Sequence, residues 1–371
     1  MRDSIRNPSH AGLPAQADAR FIQALEHTFA STFGTPHSVA VRSASAGFLN
    51  LLLALDLPAD AEVLLPASLC QTMVNATLLA RCIPVFVDTD AALAMDGSDL
   101  EAKLSPASRV VVFHHPHGRA CDPTAVATVC HSRKLFLVED IAQALGAQFE
   151  GQPIGFTGRA SLFSFGSGKP LSVGFGGMVT TPSKHLADRL RLHARCGLYG
   201  FPDDRVLGWG SSLSETECQQ LIEAIAAFPE QLASRCRTIE QACDLLTKAD
   251  IASDLVPANH QPLGHVFQRL LLTLPEHQAR EWQCQVGPPL RHYLQGPLPV
   301  PPFRAPFLKK WYFRCQRPDL WDPQGERVPR FREVSATTHF LNVAAAYHQG
   351  HLTPLITSLC ESPAVCKSTS A

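Results

Sequence analysis

The stretch Val138–Thr181, VEDIAQALGAQFEGQPIGFTGRASLFSFGSGKPLSVGFGGMVTT, decides the fold of this chain. The run Leu135-Phe136-Leu137-Val138 leads into it and ends in Glu139 and Asp140. A short apolar run of that kind reads as a buried parallel strand with polar residues at its carboxyl end, the end at which open α/β sheets bind their ligands. Ala160–Phe165 reads as a second strand, Gly166-Ser167-Gly168-Lys169 as a tight glycine turn, and Gly174–Thr181 as a return strand entered through glycines. A lysine on a rigid turn, with an aspartate across the sheet, suits pyridoxal phosphate (PLP). The amine forms a Schiff base, and the carboxylate keeps the pyridinium nitrogen protonated so that the ring is an electron sink.

Two rival readings compete. An isolated aspartate and lysine would ordinarily be a loop acid and a surface amine. A nucleotide-binding P-loop is the other, since Gly168-Lys169 follows a strand, but Phe163 stands where its first glycine belongs and Pro170 where its Mg²⁺-binding hydroxyl belongs. The pattern is also longer than a pair. Glu139, Asp140, Ala142, Gln143 and Ala144, followed by Ser164, Phe165, Lys169, Leu171, Gly174, Gly176 and Gly177, make the stretch similar to the DegT/DnrJ/StrS-type PLP-dependent sugar aminotransferases. Their pattern is roughly E-D-x-A-Q/H-A and then S-F-x-x-x-K-x-L-x-x-G-x-G-G.

Composition narrows the class. With 371 residues, 45% apolar content and a formal net charge of -1, the chain can bury a large core in two domains. The near-neutral balance argues against nucleic acid or an anionic membrane as partner. No apolar run approaches a membrane span, and the opening residues lack the apolar core of a signal peptide, so a cytoplasmic protein is expected. Twelve cysteines are scattered with no C-x-x-C pair, which leaves reduced thiols as the expectation.

Upstream of the deciding stretch, residues 1–19 read as a loose arm. Phe21, Leu25, Phe29 and Phe33 then recur at helical spacing until Gly34-Thr35-Pro36. Strands are expected at 38–42, 62–65, 83–88 and 109–113, with helices between them, which makes a mainly parallel sheet with right-handed crossovers. SASAG (43–47) reads as a turn before a helix over 48–55; amides at such a helix start form an anion site, the alternative being an ordinary serine-capped helix. His114, His115 and His117 invite a metal reading, but no carboxylate or cysteine at ligand spacing completes it. A helix is expected over 184–197, another helical stretch over 215–248 broken at Pro229, and a strand over 265–274. The proline-rich 296–307 reads as a pocket wall rather than a peptide ligand.

The resemblance implies more. It implies a fold-type-I α/β architecture, with a large mixed, mainly parallel sheet domain flanked by helices (20–228), a smaller C-terminal α/β domain (229–361), a disordered tail (362–371) and a homodimer. It implies a Schiff base on Lys169, the pyridinium partner in Asp140, and Gln143 against the ring or its hydroxyl. Ala44, Ser45 and Ser164 would hold the cofactor phosphate, His115 and His117 would line the cavity, and Cys70 stands where an aromatic residue usually covers the ring. The activity implied is transfer of an amino group from an amino-acid donor, usually glutamate, to a keto group of a nucleotide-linked sugar. Lys169 would shuttle the proton between the donor's Cα and C4′ of the cofactor. Departures cluster on the substrate side, at Cys70, Gly166, Pro170, Phe175, Gly210 and Ser212; elsewhere Glu217 stands where glutamine is usual. The substrate-side departures keep open a non-transaminating or catalytically degenerate PLP-binding protein that serves as regulator or pathway partner.

Overall fold

All seven runs expected to be strands of the N-terminal part form, and they share one sheet. They are β1 (Ser38–Val41), β2 (Glu62–Pro66), β3 (Ile83–Val87), β4 (Ser108–His114), β5 (Phe136–Asp140), β8 (Ala160–Ser164) and β9 (Gly177–Thr180), with a small ribbon, β6 (Gln148–Phe149) and β7 (Gln152–Pro153), between β5 and β8 in the chain. The computed structural model describes residues 14–196, 206–248, 264–266, 268, 270–273, 294–295, 306–322, 324–332, 338–341 and 354. Across the sheet the order is β1-β9-β8-β5-β4-β2-β3; only β9 runs antiparallel to its neighbours. Val110, Val111 and Val112 are buried in succession, as strands covered by helices on both faces must be. β5 is the central strand. Its last residue, Asp140, pairs with His114 of β4 on one side and Leu162 of β8 on the other.

Helices cover the sheet, and several of them differ from the sequence expectation. The first, α1 (Pro14–Phe33), begins inside the stretch expected to be a loose arm. Proline costs nothing at the first helical position, where its missing N–H would have no partner anyway, and the alanines Ala15, Ala17 and Ala19 favour the helix. α1 buries Leu25 and Phe29, and the Phe29 ring meets Phe163 of β8 edge-on at 5.1 Å, directly behind the lysine turn. The second, α2 (Ala44–Ala54), has Ser43 as its N-cap, so SASAG is the first turn of a helix rather than a separate turn. Next come α3 (Gln71–Leu79), α4 (Gly97–Ala102), α5 (Thr124–Arg133) and α6 (Lys184–Ala194). α6 stops before the expected glycine, with Cys196 in the left-handed region at φ 61°; Gly197 lies outside the described residues.

The third difference is Pro229. α7 (Glu215–Lys248) runs straight through it, so neither the expected break nor a second helix begins there. A proline forfeits one backbone hydrogen bond, but Phe228 and Leu232 on either side are buried and α7 packs along α1; tertiary packing overrides the local preference. Glu217 near the start of α7 also finds its reason. Ser214 N–H donates to Glu217 Oε2 at 2.9 Å while Glu217 N–H donates to Ser214 Oγ at 3.4 Å, a reciprocal cap, and Arg42 pairs with the same carboxylate at 2.8 Å. A glutamine could cap the helix but would not pair with the guanidinium.

The C-terminal part contributes β10 (Leu270–Thr273), β11 (Leu294–Gln295) and β12 (Thr338–Leu341), a separate antiparallel sheet in the order β10-β12-β11, and α8 (Pro306–Arg314). The strand expected over 265–274 is shorter because its first residues are drawn elsewhere: His265 bridges Arg119, and Val266 N–H donates to Gly118 O at 2.7 Å. Other ties bind this part to the large sheet. Asp88 accepts from the amides of Arg330 and Phe331 at 3.0 and 2.8 Å, Tyr312 donates to Pro84 O at 2.8 Å, and Arg317 pairs with buried Glu62. The proline-rich 296–305 and the tail from 362 lie outside the described residues. No described helix is long and apolar enough to cross a membrane.

Candidate active site

Asp140 ends β5 in a buried position. Its Oδ1 accepts the Ala142 N–H at 2.9 Å, which turns the chain sharply after the strand and leaves Oδ2 with no hydrogen-bond partner among the described residues. Burial raises the Asp140 carboxyl above the ordinary range; the Ala142 amide and then the positive charges of Lys169 and His115 pull the other way. The structure thus brings Asp140 and Lys169 within electrostatic reach of each other. Lys169 sits in the β8–β9 connection, where Gly168 takes φ 75° and Lys169 N–H donates to Gly166 O at 3.3 Å.

The helix start expected to bind the phosphate follows β1, the strand beside β9. At the start of α2, the Ser43 side chain caps Ala46 N at 3.2 Å, whereas the amide and hydroxyl of Ser45 have no partner among the described residues. Ala44 is placed differently from Ser45. It is buried, and its amide lies over Gly177 of β9, where an added Cβ would come within 2.7 Å of Ala44 N and of Phe163 O. Glycine at 177 is what lets the helix start approach the sheet this closely. Ser164, half-buried at the end of β8, accepts Gly166 N–H at a long 3.4 Å, so its hydroxyl proton is free to donate. Ser43, the cap of this helix start, is a position that the sequence reading did not single out, and Gly177 entered that reading only as one glycine of a matching pattern. The capping alternative for SASAG carried the signal for Ser43; nothing in one sequence says what Gly177 must admit.

The histidines need correcting. His117 adopts φ 58°, so the backbone just after β4 is not extended there. His115 does not line an open cavity: its Nδ1 accepts Cys121 N–H at 3.1 Å and its Nε2 lies 3.3 Å from Glu139 Oε1, so both ring nitrogens are committed inside the core. His114 Nε2 donates to Ser68 Oγ at 3.0 Å, and that hydroxyl passes its own proton to Leu93 O; burial and the neighbouring His115 push the His114 imidazole down to about 3. Only His117 serves the site, through its backbone, which donates to Gln143 Oε1 at 2.6 Å. That bond fixes the Gln143 amide with its NH₂ turned away from His117. Among the described residues no group of three or more histidine, cysteine or acidic side chains could hold a metal ion. Cys70, the N-cap position of α3, is exposed, its Sγ 3.2 Å from Thr72 Oγ1.

Glu139 is the hub beneath the site. Fully buried, it accepts Gly155 N–H at 3.2 Å and the amides of Thr157 and Gly158 at 2.6 Å each, besides facing His115. Burial pushes its carboxyl up, but His115 and the amides of Gly158 and Gly155 outweigh that and hold it below the ordinary value. A depressed carboxyl stabilises the fold above the unfolded value of about 4.3 and loses that contribution as pH falls through the lower folded value. Glu139→Gln, which turns two acceptors into one and faces an NH₂ to amide donors, is expected to cost about 2 to 4 kcal/mol at neutral pH. The gap from wild type should narrow below about pH 4. Urea melts across that range check both the size and the narrowing.

The fold and the sequence both have relatives among known proteins. The fold is the fold-type-I architecture: the structure of DesV from S. venezuelae in complex with a ketimine intermediate matches with a TM-score of 0.76 at 22% identity, covering 94% of this chain and 93% of that one. The model of the DegT/DnrJ/EryC1/StrS aminotransferase family matches residues 16–286, and the chain belongs to that family. GDP-perosamine synthase of Caulobacter vibrioides is 28% identical over 226 residues, 59% of this chain and 60% of that protein. The UDP-N-acetyl-3-dehydro-alpha-D-glucosamine 3-aminotransferase of Acidithiobacillus ferrooxidans is 31% identical over 272 residues, 71% of this chain and 72% of that one. The match with the first of these relatives thus spans about three fifths of its length.

Proposed function

We propose that this protein is a PLP-dependent aminotransferase that moves an amino group from an amino-acid donor, glutamate by preference, to a keto group on a nucleotide-linked sugar, and that it works as a homodimer. The observation that carries the reading is Asp140, buried at the end of the central strand with one carboxylate oxygen uncommitted, within electrostatic reach of Lys169 in the β8–β9 connection. The residues present fit the cofactor. Ser45 and Ser164 offer unspent donors for a phosphate beside a helix start; the backbone approach at Gly177 leaves room for nothing larger than glycine beneath it; and the free Gln143 NH₂ can donate to a ring oxygen. When bound, PLP supplies an electron sink for the carbanion at the donor's Cα.

The chain's own groups do the rest. Lys169 Nζ would hold PLP covalently and, once freed by the donor amine, would take the proton from the donor's Cα. Asp140 would keep the ring nitrogen protonated. Sugar aminotransferases among the relatives favour a nucleotide-linked acceptor, although Phe175 and Ser212 make the expected pocket less cationic, and Arg195, Arg205, Arg304, Lys309 and Lys310 are the candidates to compensate, with Arg205 and Arg304 outside the described residues.

A half-reaction experiment tests this. Purified protein loaded with PLP is mixed with glutamate, and the lysine-bound visible band should bleach; adding a nucleotide-linked keto sugar should restore it. Bleaching by an amino acid without restoration by any nucleotide-linked sugar would shift the acceptor to an unactivated small molecule. No bleaching with any donor would move the protein to the degenerate reading.

A further inference from the structure

The peptide carbonyls on either side of Lys169 are held by groups far along the chain. Gly168 O accepts from Gln268 Nε2 at 2.8 Å across 100 residues, and Pro170 O accepts from Arg235 at 2.9 Å across 65. Arg235 is 2% exposed and Gln268 3%. The Arg235 guanidinium also donates to Val266 O at 3.0 Å, and Val266 N–H in turn reaches Gly118 O at 2.7 Å. Gly118 belongs to the loop whose His117 amide holds Gln143. One run of hydrogen bonds therefore joins the two sides of the site, from the Gln143 loop through Val266 and Arg235 to the lysine turn.

The turn needs that support. With Gly166, Gly168 and Gly174 it has a backbone that resists distortion poorly, and its internal bonds, Lys169 N–H to Gly166 O at 3.3 Å and Ser172 Oγ to Gly166 O at 3.1 Å, leave the two flanking peptides untied. A planar guanidinium that spans two carbonyls fixes their orientation as a single ammonium cannot. A buried carbonyl left without its donor would tilt to find another.

We propose that Arg235 and Gln268 are positioning residues for Lys169, setting the direction in which its side chain leaves the turn and tying it to the Gln143 loop. The proposal rests on Lys169 being the cofactor-bearing amine.

The test compares Arg235→Met, Arg235→Lys and Gln268→Met with Arg317→Met, which breaks the Glu62 pair far from the lysine turn. For each, cofactor-free protein is mixed with PLP, the adduct is trapped with borohydride at intervals and located by peptide mass, and kcat and KM for the donor are measured alongside melting temperature. Arg235→Met should slow adduct formation at Lys169 and lower kcat by about ten- to a hundredfold with KM for the donor unchanged, as the loss of a charge-assisted hydrogen bond implies. Gln268→Met should do the same by about fivefold, and Arg235→Lys should fall between Arg235→Met and wild type. Arg317→Met should lower the melting temperature at wild-type adduct rate. If Arg235→Met does not fold, Gln268→Met decides. Variants that merely melt earlier, with adduct rate and kcat unchanged, overturn the proposal, while an adduct missing from Lys169 in the wild type overturns the reading beneath it.

Discussion

Lys169→Ala is expected to give a folded protein that carries no borohydride-reducible adduct and turns over no donor. The side chain is half-exposed on a turn whose tertiary contacts are made by carbonyls and by neighbouring residues, so its removal costs little stability. Catalysis loses both the covalent attachment and the proton transfer at the donor's Cα, and the second alone is worth about 10²- to 10⁴-fold. Trapping with borohydride followed by peptide mapping reads the first loss, single-turnover kinetics the second. An adduct recovered on a different lysine would remove Lys169 from its role.

Asp140→Asn separates electrostatics from architecture. The asparagine oxygen can still accept the Ala142 amide, so the chain should fold and bind PLP, yet an amide cannot keep the ring nitrogen protonated, and the donor half-reaction should slow by several orders of magnitude. A second outcome runs in the opposite direction. Because the Asp140 carboxyl is raised in the folded state, its contribution to stability is present below the unfolded value and is lost as pH rises through the folded one. Cofactor-free Asp140→Asn should therefore melt above cofactor-free wild type at neutral pH, with the advantage vanishing in acid. In the wild type, PLP affinity should also fall as the carboxylate is protonated. If the variant instead melted lower and kept its turnover, Asp140 would be an architectural residue.

Much of this was legible in the sequence because it is local. The apolar runs, the acid at the end of β5, the turn that carries Lys169 and the serines near the sheet edge each announce themselves within a few residues, and the seven strands follow from the same pattern. What was not legible depends on partners distant along the chain. Pro229 argues for a break until Phe228 and Leu232 are seen buried around it; His115 looks like a cavity residue until Glu139 and Cys121 occupy both its nitrogens. Arg235 and Gln268 lie in an ordinary helical pattern and beside an ordinary strand, and no spacing rule connects either to a turn so far upstream. Gly177 shows the same limit on a smaller scale, since its need for a bare Cα comes from a helix start that arrives from another part of the chain.

The bonds from Arg235, Val266 and Gln268 to the lysine turn and the Gln143 loop bear on how members of this family can be recombined. A chimera that joined this N-terminal sheet to the C-terminal half of a relative at residue 228 would import foreign side chains at the very positions that complete the lysine's surroundings, and would lose activity for a reason unrelated to the acceptor. The workable seam lies after residue 268, so that the donor chemistry travels as one block. Even there the graft must reproduce an arginine against Glu62 and a helix start against Asp88, contacts that make specificity exchange in this chain a matter of matched interfaces and not of a modular cut.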